Sequence, residues 1–110
     1  MRSALSIKIL SAIMLLSGIG GFFLQDLAQT DTNPLRNAIH VFIGIFGIDA
    51  LSRTERYRKW FLLLTGLFLA MLAIMGFADG RLFWFYPTGT TDNITHIVLG
   101  GLFVAIGLLP

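Results

Sequence analysis

The chain contains no cysteine. That excludes a disulfide framework, a thiolate metal site and a thiol nucleophile. Charge is also scarce. Asp, Glu, Lys and Arg make up 13% of the 110 residues, where a soluble domain carries about 25%. The few charges are clustered, so long stretches have none. Nothing resembles the basic surface that a DNA- or RNA-binding domain needs, and the net charge of +2 comes mostly from one short loop. There is no Ser/His/acid set, no close carboxylate pair within an apolar segment and no Gly-rich phosphate loop before a helix. The sequence therefore points away from an enzyme.

What the chain has in abundance is apolar side chains, at 55% of its residues. With so little charge, this reads as an integral membrane protein, and the length gives one domain over residues 1–110. Four apolar segments are predicted as helices, over about 5–24, 34–51, 60–77 and 92–109. Each is long enough, or just long enough, to cross a hydrocarbon core of roughly 30 Å. A signal peptide is the rival reading of the first segment. Its apolar run is long for that role, no small-x-small cleavage site follows, and it has a counterpart in the third segment. Asn33-Pro34 is a helix start, with Asn as the cap and Pro in the first helical position. Thr91 or Asp92 is expected to cap the fourth helix. Ser17 with Gly21, and Gly66 with Ala70, form small-residue faces where another helix can approach closely. Asp49 and Arg53, four apart, can pair on one face.

Orientation follows from the charges. The loop from Ser52 to Lys59 carries Arg53, Arg56, Arg58 and Lys59 against Glu55. Basic loops stay on the cytoplasmic side, so both termini are expected inside, in agreement with Arg2 and Lys8. Such a loop also implies contact with anionic lipid headgroups. Tyr57 and Trp60 stand where interfacial aromatics belong. The outer stretch Phe83-Trp84-Phe85-Tyr86-Pro87 is too apolar for water, and is expected along the headgroup layer or over the helix ends.

One phrase occurs twice. Asn37-Ala38-Ile39-His40-Val41-Phe42-Ile43-Gly44 opens the second segment, and Asn93-Ile94-Thr95-His96-Ile97-Val98-Leu99-Gly100 opens the fourth. The shared pattern is Asn-x-x-His-x-x-x-Gly at an offset of 56 residues, and it contains both histidines of the protein. Segments one and three match weakly, with Gly20 against Gly76 the clearest identity. The fold class read from this is an all-α, integral membrane four-helix bundle made of two parallel-repeat helical hairpins, related by an axis along the membrane normal. On these residues the chain resembles small bacterial and cyanobacterial four-helix membrane proteins classified as a domain of unknown function. Their features are the Asn-x-x-His-x-x-x-Gly start, a basic central loop and a second start of the form Asp92-Asn93-x-x-His96-x-x-x-Gly100. The resemblance covers nearly the whole chain. It implies a four-helix architecture in a bacterial inner membrane, or a cyanobacterial thylakoid or plasma membrane, and implies no activity. Thr95 departs from the pattern, where Leu is more usual.

Asn37, His40, Asn93 and His96 are polar groups inside apolar helices, and such groups are functional candidates by default. Asn and His three apart share a helix face, and Gly44 and Gly100 extend that face one turn on. Three readings are open. In the first, Asn37 and Asn93 are a polar clamp, bonding the opposite His or nearby backbone, while Gly44 and Gly100 serve helix packing; the protein is then a structural or accessory subunit without catalysis. In the second, His40 and His96 hold a tetrapyrrole, either b-type haem or chlorophyll, with the glycines leaving room for its plane. Two His alone make a poor zinc site, since four protein ligands or three plus water are usual, and Asp92 or Asp31 would have to help. In the third, the His pair serves proton or small-solute transport, although only Asp49 offers a polar group towards the inner side. Ser17, Thr65 and Thr95 read as helix-packing hydroxyls. The expected partners are the lipid bilayer and a larger membrane complex or a homo-oligomer.

Overall fold

A computed structural model describes residues 2–27, 34–82, 86–87 and 89–109. The fold is all-α. The helices are α1 (Arg2–Leu27), α2 (Pro34–Ala50), α3 (Glu55–Asp79) and α4 (Thr90–Gly107). Between α3 and α4 a short antiparallel bridge joins β1 (Arg81–Leu82) to β2 (Tyr86–Pro87), pairing Arg81 with Pro87 and Leu82 with Tyr86. The chain divides into two compact units, Met1–Arg58 and Lys59–Pro110.

In the first unit α1 and α2 pack antiparallel. The buried face of α1 carries Ile7, Leu10, Ser11, Met14, Gly18 and Gly21, a spacing of three and four that keeps one face inward. On α2 the buried residues are Asn37, His40, Ile43, Gly44, Gly47 and Ala50. Glycine sets how closely the helices approach. A Cβ at Gly18 would fall 2.6 Å from the Asn37 carbonyl oxygen and 2.6 Å from a Val41 methyl. The expected small-residue face of Ser17 and Gly21 is thus present, and Gly18 completes it. Gly20, matched in sequence to the buried Gly76, instead faces open space.

Pro34 opens α2 as expected, while Asn33 lies outside the described residues. The largest difference from expectation is at the start of α3. Its first turns take up residues 55–59, which were expected as loop. Thr54 is the reason. Its Oγ1 accepts a hydrogen bond from the Tyr57 amide at 3.1 Å, satisfying one of the free N–H groups of a helix start. Glu55 in the first turn favours the positive end of the helix dipole. The connection is left as residues 51–54. It is tightened by bonds from the Leu51, Ser52 and Arg53 amides to the carbonyls of Ile48, Asp49 and Ala50, each 3.1 Å.

In the second unit α3 and α4 also run antiparallel. A Cβ on Gly66 would fall 2.7 Å from the Gly100 carbonyl, and one on Gly100 would fall 2.9 Å from the Ala70 amide nitrogen. The Gly66/Ala70 face is therefore used. Gly107 approaches Leu62 and Leu63 further along the same pair of helices. α3 ends at Gly80, whose φ of 68° is left-handed and whose amide bonds the Gly76 carbonyl at 2.8 Å. This is the helix-ending conformation that glycine adopts without steric cost. The cap of α4 is Gly89, with no side-chain bond, rather than Thr91 or Asp92. Asp92 sits in the first turn, where its charge still complements the helix dipole. Phe83, Trp84 and Phe85 lie outside the described residues.

The faces of the four helices turned away from these contacts are apolar. Leu16, Phe23, Phe42, Phe46, Leu64, Leu67, Ile74 and Val98 are all exposed, Leu16 to 72%. Among the described residues, two helices are long and apolar enough to cross a membrane, over Ala4–Phe23 and Glu55–Asp79.

Candidate functional site

The polar residues singled out by the repeated phrase are buried. Asn37, His40 and His96 have no exposed surface, and Asn93 is 4% exposed. Helical periodicity accounts for this: Asn, His and Gly at spacings of three and four form one stripe, and that stripe is the buried face of α2 and of α4.

In the first unit the surroundings of the stripe are specific. Ser17 Oγ lies 2.9 Å from His40 Nδ1, so α1 supplies the imidazole with a hydroxyl partner. Asn37 packs against Gly21, and a Cβ there would occupy the space of the Asn37 amide. The Asn37 Oδ1 accepts a hydrogen bond from Arg36 Nη2 at 2.8 Å. Gly44 packs against Leu15, whose backbone nitrogen would lie 3.0 Å from an added Cβ. Sequence reasoning singled out Asn37, His40 and Gly44, but it missed Ser17 as the histidine's partner and Gly21 as the seat of the asparagine.

The second unit differs in detail. Gly100 packs against Gly66, Leu69 and Ala70. At the 56-residue offset, Ala73 stands in the sequence where the first unit has Ser17. Ala73 is fully buried and has no hydroxyl to offer. Thr95, expected as a packing hydroxyl, donates to the Thr91 carbonyl of its own helix at 2.8 Å, a common resting place for a helical threonine. No group of three or more His, Asp or Glu able to hold a metal occurs among the described residues.

At the α2–α3 turn, Asp49 and Arg53 pair as expected, with Nε–Oδ2 at 3.3 Å. The Arg53 guanidinium also lies 5.7 Å from the centroid of the Tyr57 ring. The hydrogen bond to Asp49, and then the charge of Asp49, hold Arg53 above the ordinary guanidinium range. A raised value means that the arginine keeps its proton throughout the neutral range and loses it, with this contribution, only above the ordinary guanidinium range. The pair therefore brings no arginine-linked pH dependence near neutrality.

These features define an all-α chain of four helices with a buried Asn/His stripe in each of two helical pairs. The chain belongs to the family described as a domain of unknown function, DUF4383, which it matches over residues 5–109. No curated protein and no solved structure matches it.

Proposed function

We propose that the chain is a small multi-pass membrane protein without catalysis, acting as a structural or accessory subunit, in which the two Asn/His stripes lock helices together. The observation that carries this reading is the use made of the glycines. Gly44 and Gly100 lie one turn after the histidines, where a flat ligand would need room. That space is taken by Leu15 beside Gly44, and by Gly66 and Ala70 beside Gly100. A membrane setting is supported by the distribution of polarity. Asn and His are buried while Leu, Ile and Phe cover the outside, the reverse of a water-soluble protein. The basic α2–α3 turn favours both termini on the cytoplasmic side, in a bacterial inner membrane or a cyanobacterial thylakoid or plasma membrane. The 56-residue offset of the phrase favours an internal duplication of the helical pair. A larger membrane complex or a second copy of the chain would cover part of the apolar exterior.

The test joins extraction to stability. Membranes carrying the protein are washed with alkaline carbonate, and the protein should stay with the lipid. His40→Ala and His96→Ala should each lower the melting temperature in mild detergent. Release by carbonate would end the membrane reading. Wild-type stability in both variants would end the lock.

A second reading, tetrapyrrole binding at His40 and His96, is favoured by one contact. A ligating histidine usually has its other ring nitrogen fixed by a hydrogen bond, and Ser17 stands at Nδ1 of His40 in that way. Proton or solute transport has less support, because Asp49, the carboxylate it would need near the inner end, is engaged by Arg53.

A further inference from the structure

The α2–α3 turn concentrates positive charge beyond what its own acids balance. Residues 49–59 contain Arg53, Arg56, Arg58 and Lys59 against Asp49 and Glu55. Asp49 is spent on Arg53. Arg58 is only 7% exposed. Its Nη1 donates to the Arg53 carbonyl at 2.7 Å, its Nε meets no acceptor, and no carboxylate among the described residues pairs with it. A buried guanidinium without a counter-charge is costly to leave alone, and its field adds to that of the cations above it. Arg56 and Lys59 are both exposed, lie three apart on the first turns of α3, and share a face with Trp60. Tyr57 and Trp60 are exposed beside them, as aromatics are at the headgroup level of a bilayer. The positive end of the α3 dipole points the same way.

We propose that the α2–α3 turn binds the phosphate headgroup of an anionic phospholipid, with Arg56 and Lys59 as the phosphate-binding cations and Tyr57 and Trp60 as the aromatic rim. Arginine offers a planar fork that matches phosphate oxygens, and lysine adds a mobile point charge. Arg58 is a positioning residue: through the Arg53 carbonyl it holds the turn, and it keeps the underlying potential positive. The proposal rests on the membrane reading above. It differs from simple topology-setting charge in requiring a defined stoichiometry and selectivity for the headgroup.

The test uses the full chain purified in mild detergent, with short-chain phosphatidylglycerol as probe, phosphatidylcholine as neutral control and inorganic phosphate as free anion; bound lipid is read by native mass spectrometry. One phosphatidylglycerol should bind per chain, phosphatidylcholine should not, and equimolar phosphate should not displace the lipid. The Arg56→Gln/Lys59→Gln double variant should bind roughly 30-fold more weakly, at the usual contribution of a basic residue near an anionic surface, with helicity unchanged by circular dichroism. Arg81→Gln, at the other end of α3, should bind as the wild type does. Equal binding of the two lipids, wild-type binding by the double variant, or displacement by free phosphate would each overturn the proposal. Carbonate extraction separates the two failures. A protein that stays in the membrane yet shows no selectivity refutes the lipid site alone, whereas a protein released by carbonate refutes the membrane reading with it.

Discussion

At the scale of single residues, the hydroxyl of Ser17 and the missing side chains of Gly18 and Gly21 decide how α1 meets the His40 stripe. Hydrogen bonds between helices in membranes contribute on average about 0.6 kcal/mol and at most about 1.7. Ser17→Ala should therefore destabilise the protein by about that much, read as a shift in unfolding by a denaturing detergent. Glycine gives a sharper contrast. Gly18→Ala puts a methyl group 2.6 Å from a backbone carbonyl, an overpacking that typically costs about 1–3 kcal/mol. Gly20→Ala, two residues on, meets nothing within 4 Å and should be neutral or slightly stabilising through helix propensity. Equal effects at the two positions would contradict the packing described for α1 and α2. Asn37, His40, Asn93 and His96 were legible in the sequence because polar groups stand out in an apolar run. Ser17 was legible as a helix-packing hydroxyl but its partner was not, since nothing in the sequence of α1 says which group of the facing helix the hydroxyl will bond.

At the scale of elements, caps and turns fix the lengths of the helices. Thr54→Ala removes the acceptor for the Tyr57 amide and should cost about 1 kcal/mol. In hydrogen exchange, the gain should be confined to the first turns of α3. Protection unchanged over residues 55–59 would mean that the cap does not hold those turns. This cap is hard to see in the sequence because the cluster of charges after it is also what a loop looks like. A charged run is equally compatible with the exposed first turns of a long helix, and Thr54 followed by Glu55 was the signal that separates the two. The start of α4 failed for the opposite reason. Thr91 and Asp92 are good capping residues, yet Gly89 takes the extended cap conformation and leaves them inside the first turn. The centres of all four helices were legible because apolar length dominates there.

At the scale of the whole molecule, polarity is inverted: Asn37, His40, Asn93 and His96 are buried, while Leu, Ile and Phe side chains are exposed along the helices. The lack of native cysteine makes topology directly measurable. A Ser52→Cys variant should react with an impermeant thiol reagent only from the cytoplasmic side in intact cells or oriented vesicles. Labelling from the outer side would reverse the proposed orientation. The architecture of four helices was legible from the four apolar segments, and the family from the resemblance carried by the repeated Asn/His/Gly starts and the basic central loop. The role was not, because a buried histidine has the same sequence pattern whether it bonds a serine or ligates a metal.

The most direct test of the central claim, that the Asn/His stripes are locks and hold no pigment, is the visible absorption spectrum of the protein purified in mild detergent from its native membrane. The account predicts a colourless preparation with an intact helical fold, destabilised but otherwise unchanged in His40→Ala. A Soret band that shifts on reduction and vanishes in His40→Ala would contradict it and make tetrapyrrole binding the function of the site.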